Sequence, residues 1–521
     1  MGRPRNDRLA ALARRVDIPV WQRDSTARPT MTVHEPFTGE VLGDVPVGTV
    51  DDVEHAFVRA RRAQAEWAET PVRRRAAVLR RFADRVHARR EEILDVVQAE
   101  SGKNRMSALD EVLDAMLTAR FYADKGPGLL ADRRIPGAIP LFSSATVVRR
   151  PRGVVGMISP WNYPFSLPMG DGLAALFAGN AIVHKPASLT PFSTLLGVEL
   201  WEEAGLPHDV WQVVPGSGRE VGGAVVDRCD FLMFTGSSAT GARLGAQIGR
   251  RLVPFSAELG GKNPMVVGAG ADLEQVADIA VRACFASAGQ LCMSIERIYV
   301  EQEVYDEFCD VFARRVQAMR LGAGYGWGPE MGSLVSEDQM TVVTEHVADA
   351  VAKGATVLAG GHRRPDLGPL FHEPTVLVDV PADATCHAEE TFGPVVSVYP
   401  VADLDEAVAR ANDSEYGLTA AVFCATPEQG YEVGTRIDAG MVNVDEGYPA
   451  AWSSLAGPSG GTGISGVGYR HGSEGLLKYT QAHTIATQSR ALNFGGPGSL
   501  PQRVWGPALA RSTNLLKYLK R

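Results

Sequence analysis

From Gly153 to Phe234 the sequence alternates short apolar runs with longer helical ones, and this alternation leaves the chain few architectures to choose from. Val154–Ser159 reads as a strand, Gly172–Ala178 as a helix and Ala181–His184 as a strand. Pro191–Ala204 follows as a helix, then Val210–Val214 and Phe231–Phe234 as strands, the last closing on Thr235-Gly236-Ser237. Strands in such a series lie parallel, with helices covering both faces of the sheet. A second α/β unit begins near Gly261 and runs past residue 450, with candidate strands at Met265–Val267, Arg297–Val300, Thr356–Ala359 and Met441–Val444. At 521 residues the chain is too long for one ordinary core, so two or three domains are expected.

The flanking segments read differently. Residues 51–99 carry helical periodicity, with Asp51 and Asp52 suited to a helix N-terminus. Around Ala131–Pro151 the pattern turns to strands such as Phe142–Val148, an extended excursion able to pair across a subunit boundary. The Arg-rich stretch Arg3–Arg15 has no apolar signal core after it and reads as a surface helix. Near the other end, Trp505, Leu509, Leu516 and Leu519 share one helical face, with Arg511, Lys517, Lys520 and Arg521 nearby, as in a helix docked on its own protein or a neighbouring subunit. No stretch approaches a membrane span. The net charge of −9 argues against a nucleic-acid surface. The six cysteines, Cys229, Cys284, Cys292, Cys309, Cys386 and Cys424, are scattered, with no C-x-x-C pair or Cys/His cluster. Their low density is that of a reduced, cytoplasmic protein.

One of these cysteines stands apart. Gly289-Gln290-Leu291-Cys292 follows Glu258-Leu259-Gly260-Gly261-Lys262 by about thirty residues. Five further motifs lie in order along the chain. They are Pro160-Trp161-Asn162-Tyr163-Pro164, Lys185-Pro186-Ala187-Ser188, Phe234-Thr235-Gly236-Ser237, Glu390-Thr391-Phe392-Gly393-Pro394-Val395 and Ser465-Gly466-Val467-Gly468. Together they resemble the aldehyde dehydrogenase superfamily over most of the chain. The resemblance implies an α/β, aldehyde dehydrogenase-like fold: two α/β domains, a Rossmann-like cofactor-binding one and a catalytic one, plus a small β oligomerisation domain. On that pattern residues 1–133 and 152–259 bind NAD(P), 260–459 are catalytic, 134–151 and 480–500 are oligomerisation segments, 460–479 return to the cofactor domain, and 501–521 form the C-terminal helix. The assembly implied is a homodimer or homotetramer, and the partner is a small-molecule aldehyde.

The resemblance assigns roles that the chemistry supports. Cys292 attacks the aldehyde carbonyl as a thiolate. Asn162 and the backbone N–H of Cys292 donate to the thiohemiacetal oxygen. Glu258 activates the water that hydrolyses the acyl-enzyme, and it is also placed to deprotonate Cys292. A free glutamate is a weak base at neutral pH, so partial desolvation is required. An ion pair between Glu258 and Lys262 is the alternative use of that carboxylate. Relatives that pass the acyl group to a thiol or phosphate commonly lack this glutamate, so its presence favours hydrolysis. None of the steps needs a metal.

For the coenzyme, the turn after Phe234, with Gly236, Ser237 and Gly241, would take the pyrophosphate, and Gly216 would line the adenosine side. Glu390 matches the residue holding the nicotinamide ribose. Phe392 matches the residue packing beside the nicotinamide, and Trp161, which walls the pocket, and Leu259 are further coenzyme-binding candidates. Ser188 stands where NAD-preferring relatives often carry a glutamate, and Lys185 adds positive charge, so NADP is expected in preference to NAD.

Whole-chain resemblance is nearest to bacterial NADP-dependent succinate-semialdehyde dehydrogenases, through Val442-Asn443-Val444-Asp445-Glu446-Gly447-Tyr448 and His471–Thr480 among others. Well-characterised enzymes with that activity hold the distal carboxylate with two arginines, eight residues after the oxyanion asparagine and six before the nucleophile. Those positions are Gly170 and Ala286 here. Arg120 is a candidate replacement, with Ser453 and Ser454 as weaker donors. Otherwise a mouth formed by Tyr163, Phe165, Tyr448 and Trp452 suits an apolar or aromatic aldehyde, giving a broader range of substrates.

Overall fold

The computed structural model describes residues 2–16, 29–137, 143–488 and 500–516. Phe142, the 489–499 part of the late segment, and Lys517, Leu519, Lys520 and Arg521 lie outside the described residues.

Six strands form the first sheet, in the order Gly466–Val467, Phe255–Glu258, Phe231–Thr235, Val154–Ile158, Ala181–Lys185, Trp211–Val213. All neighbours are parallel except the Gly466–Val467 edge. Each strand expected between Val154 and Phe234 is present, within a residue or two of its limits. The chain runs from Val154–Ile158 outward to Trp211–Val213, then jumps back to add Phe231–Thr235 on the other side. That reversal opens a crevice beyond the carboxyl ends of the two central strands, where open α/β sheets bind ligands.

The second sheet has seven strands, ordered Thr356–Ala359, Thr375–Val378, Val395–Val401, Ile295–Glu301, Asn263–Val267, Thr419–Phe423, Met441–Val444. Three of its parallel strands, Thr375–Val378, Val395–Val401 and Thr419–Phe423, were not anticipated from the sequence. Their side chains are almost all buried, as strands covered on both faces must be.

The 51–99 periodicity resolves into three helices, Val50–Ala68, Val72–Ala88 and Arg90–Ser101. Thr49 and Asp52 close a reciprocal capping box at the first, so the acidic start read from Asp51 and Asp52 holds. At the N-terminus the Arg-rich stretch forms a helix, Asn6–Ala13, that buries Leu9 and Leu12 and pairs Arg8 with Glu92 and Glu199. Ser143–Pro151 pairs antiparallel with both Arg133–Pro136 and Thr480–Gln488, making a third sheet whose last strand is exposed beyond Thr480. Gln502–Leu516 is helical, with Trp505 and Leu509 half-buried. Among the described residues, no helix is long and apolar enough to cross a membrane.

One buried carboxylate ties the early helices to the first sheet. Glu100 accepts from the backbone N–H groups of Phe192 and Ser193, at 2.6 and 2.7 Å, and from the Ser193 hydroxyl at 2.6 Å. These are the uncapped donors at the start of the Pro191–Glu203 helix, whose own N-cap, Thr190, makes no capping bond. Glu100→Ala leaves three buried donors unpaired and is expected to cost about 3 kcal/mol. Urea unfolding monitored by circular dichroism measures it.

Candidate active site

Beyond the Val154–Ile158 strand the chain turns through Pro160-Trp161-Asn162-Tyr163 into the Ser166–Phe177 helix. A sealed ion pair supports that turn. Lys103 Nζ donates to Glu111 at 2.7 Å and to the Asn162 carbonyl at 2.6 Å, and lies 3.6 Å from the centre of the Tyr163 ring. The second oxygen of Glu111 accepts from the N–H groups of Phe165 and Ser166, at 2.8 and 2.9 Å. Asn162 is thereby aimed across the crevice, where its amide donates to the Gln290 carbonyl at 3.0 Å.

Cys292 arrives from the other unit. After the Leu273–Phe285 helix, Ser287, Ala288 and Gly289 adopt φ of 54°, 56° and 69° in succession. Only glycine fits the third position, since a Cβ there would lie 2.0 Å from the Gly393 carbonyl oxygen. The strained turn is held by Ser107 Oγ, which accepts from Ser287 N–H at 3.0 Å, and by Gln290, which accepts from Val335 N–H at 2.9 Å. Asn263 then donates to the carbonyls of Cys292 and Ser294, both at 2.7 Å.

Glu258 ends the Phe255–Glu258 strand, paired with Gly466. Its Oε1 is buried and has no hydrogen-bond partner among the described residues. Burial pushes its carboxyl up to about 8, against the pull of Arg470 and Lys478. The ion pair weighed for Glu258 does not form: Lys262 pairs with Glu296 at 2.5 Å. Glu296 in turn accepts from the N–H groups of Thr391 and Phe392. Burial also raises the Cys292 thiol to about 12, reinforced by the carboxylates of Glu390 and Glu258 and opposed by Arg470.

Cys292, Asn162 and Glu258 line one cavity together with Tyr163, Tyr448 and Trp452. Three other substrate-side expectations are corrected. Arg120 points to solvent, 3.3 Å from Asp84, because its helix turns that face away from the crevice. Ser454 is exposed and donates to the Ala450 carbonyl at 2.8 Å, as Ser453 does at 3.2 Å. Phe165 is fully buried and belongs to the core, not the mouth. Ala286 packs among Tyr163, Leu291 and Tyr448.

A second cleft meets the first at Asn162, Leu259 and Cys292, and is lined also by Trp161, Gly236, Ser237, Glu390 and Phe392. Trp161 meets Phe392 edge-on at 5.4 Å. Glu390 accepts from Gly261 N–H at 2.8 Å, and burial raises its carboxyl to about 8. Ser237 starts the Ser238–Gly249 helix without capping it by its side chain, so that side chain leaves the first-turn N–H groups free. Phe234 and Gly241 face inward instead. The Phe234 ring packs beneath Gly236, and Leu259 fills the space a Cβ on Gly241 would need. Farther along, burial lowers Lys185 to about 8, and exposed Ser188 donates to the Gly216 carbonyl at 3.3 Å. Gly216 itself has φ of 152°.

Comparison with known proteins agrees with this geometry. A model of the aldehyde dehydrogenase family matches residues 21–485. The chain belongs to the aldehyde dehydrogenase family. A Mycobacterium tuberculosis protein provisionally named NADP(+) succinate-semialdehyde dehydrogenase 2 is 54% identical over 487 residues, 94% of each chain. Among solved structures, an E. coli NADP dependent enzyme is 33% identical with a TM-score of 0.85, covering 88% of this chain and 95% of that one. The NAD+ complex of a Bacillus cereus aldehyde dehydrogenase is 34% identical with a TM-score of 0.84, covering 88% and 93%.

Sequence reasoning missed Asp110, Asp114, Arg470 and His471, which also line the cavity at Cys292. The two aspartates lie four apart on the Arg105–Leu129 helix, a spacing that could have marked a shared face. Arg470 and His471 gave no such signal, because only the Gly466–Val467 pairing brings them back to Glu258. Lys103 and Glu111, which hold the asparagine turn, were missed too. Lys103→Met strands Glu111 as an unpaired buried charge and is expected to lower stability by about 3–5 kcal/mol. Thermal unfolding of the variant measures this.

Proposed function

We propose that this aldehyde dehydrogenase oxidises succinate semialdehyde to succinate with NADP+, through a thioester on Cys292. The observation that carries the reading is the convergence of the Cys292 thiol, the Asn162 amide and the Glu258 carboxyl on one cavity. The Cys292 sulfur bonds to the aldehyde carbon as its proton leaves for Glu258, and the carbonyl oxygen takes the negative charge. Asn162, held by Lys103 and Glu111, donates to that oxygen, and its fixed position means no reorganisation is needed as charge develops. The coenzyme, when bound, supplies the hydride acceptor. Glu258, once ionised, takes a proton from water, whose oxygen attacks the thioester carbon; the carbon–sulfur bond breaks, and the acid leaves as Cys292 departs as thiolate.

The second cleft fits a dinucleotide. Trp161, Glu390 and Phe392 would hold the nicotinamide end, the helix start at Gly236 and Ser237 the pyrophosphate, and Gly216 the adenosine. Ser188 offers a hydroxyl and no carboxylate, and Lys185 is near by in sequence, which supports preference for a 2′-phosphate. The name of the 54% identical relative supports the same coenzyme and substrate. Residues 134–151 and 480–488 would join subunits, since their sheet presents an exposed outer strand.

A second reading, a neutral apolar or aromatic aldehyde, is favoured by the apolar walls from Tyr163, Leu291, Met293, Tyr448 and Trp452, and by the lack of a cation at Gly170 and Ala286. Steady-state assays decide between them. Succinate semialdehyde should exceed benzaldehyde and hexanal in kcat/KM by at least tenfold, and NADP+ should exceed NAD+. The reverse order of aldehydes would transfer the assignment to the second reading.

Glu258 makes the hydrolytic step testable on its own. Because its carboxyl sits near 8 and acts as a base when ionised, deacylation should speed up as pH rises from 6.5 through about 8. Glu258→Gln should lower kcat by roughly 10²–10⁴-fold. Stopped-flow absorbance should then follow the loss of that pH-dependent step, and Cys292→Ala should abolish turnover.

A further inference from the structure

Arg470 is the one guanidinium among the described residues lining the reaction cavity. Its Nη2 donates to the Leu167 carbonyl at 2.8 Å and to Asp171 at 2.7 Å, and its Nε reaches the same carboxylate at 3.3 Å. Among the described residues, only Nε and Nη2 of this guanidinium make hydrogen bonds. An added Cβ at Gly170 would lie 3.7 Å from Asp114 Oδ2 and 3.9 Å from Arg470 Nη2, so the guanidinium stands beside this position.

His471 follows directly and lines the same cavity. It has φ of 55°, uncommon for a side-chain-bearing residue, and its buried Nδ1 has no partner. Leaving a buried ring nitrogen unpaired is unfavourable, unless something entering the cavity pairs with it.

The charges facing this wall are already partly matched. Asp110 accepts from Tyr448 and Arg282, at 3.3 and 3.1 Å. Asp114 accepts from Thr118 at 3.2 Å and faces His471 Nε2 at 3.7 Å. Asp171 is shared by Arg470 and by Lys478, which lies 3.6 Å away, so two basic side chains divide one carboxylate. Glu258, the remaining acid, is raised towards its neutral form by burial. An incoming carboxylate would thus meet a guanidinium edge that its protein partner does not use.

We propose that Arg470, with His471 beside it, receives the distal carboxylate of an ω-oxo acid, supplying from the returning segment the cation that position 170 lacks. The inference rests on the succinate-semialdehyde reading and names the residues that give it selectivity.

The test compares kcat/KM for succinate semialdehyde and for butanal, which has the same carbon number and no carboxylate. Relative to wild type, Arg470→Gln should reduce the ratio of the two by at least fiftyfold. Arg470→Lys, which keeps the charge and loses the fork, should reduce it by at least fivefold, and decides the matter alone if the first variant does not fold. His471→Asn, whose side chain tolerates positive φ, should lower the ratio severalfold. Adding Gly170→Arg to Arg470→Gln should restore the ratio at least tenfold.

Equal losses on both aldehydes would overturn the proposal and make Arg470 a support for Glu258. An unchanged ratio in the Arg470 variants would overturn it as well, while leaving the substrate reading intact. A wild-type enzyme without preference for succinate semialdehyde would sink that reading and this inference together.

Discussion

Lys103 and Glu111 sit 2.7 Å apart with no exposed surface on either side chain, and the geometry of the crevice follows from them. Desolvation opposes both charges, lowering the basicity of Lys103 and raising the carboxyl of Glu111. A pair of this kind adds little stability over apolar side chains of the same size. Its contribution is directional. Between them the two side chains bind the Asn162 carbonyl and the N–H groups of Phe165 and Ser166, so the turn that carries Asn162 has one conformation. The same logic governs the opposite wall, where Asn263 spans the carbonyls of Cys292 and Ser294 and fixes the thiol against the asparagine.

Acidity in the cavity is set by burial. Among the described residues Glu258 Oε1 has no hydrogen-bond partner, and its carboxyl is raised to about 8. Glu100, also raised by burial, spends its oxygens on the start of a helix. The two buried carboxyls therefore differ in their partners, one bound to a helix start and one with an open oxygen. Arg470 opposes burial at both Glu258 and Cys292, favouring their ionised forms.

Much of this was legible before folding. The strands from Val154 to Phe234 could be read because short apolar runs there are bounded by glycine, proline and helical stretches. Thr375–Val378 and Thr419–Phe423 could not. They are short apolar strands buried on both faces, and alternation, the usual strand signal, is absent from them. Cys292, Glu258 and Asn162 were recognisable from motif order, and the structure brings them to one cavity. Arg120 misled because a helix position says nothing of which face meets the crevice, and this one pairs with Asp84 in solvent.

The sequence by itself determined the local chemistry. It placed a cysteine after a glycine turn, an asparagine in a proline-bounded loop and a glutamate at a strand end, since motifs and hydrophobic runs are properties of neighbours along the chain. Tertiary structure alone decided what surrounds them. The antiparallel pairing of Gly466 with Glu258 returns Arg470 and His471 to the site from about two hundred residues away. It also decides that Lys262 belongs to Glu296, and that Glu258 Oε1 has no hydrogen-bond partner among the described residues. Such contacts arise from strand order and burial, which long-range packing sets and local sequence does not encode.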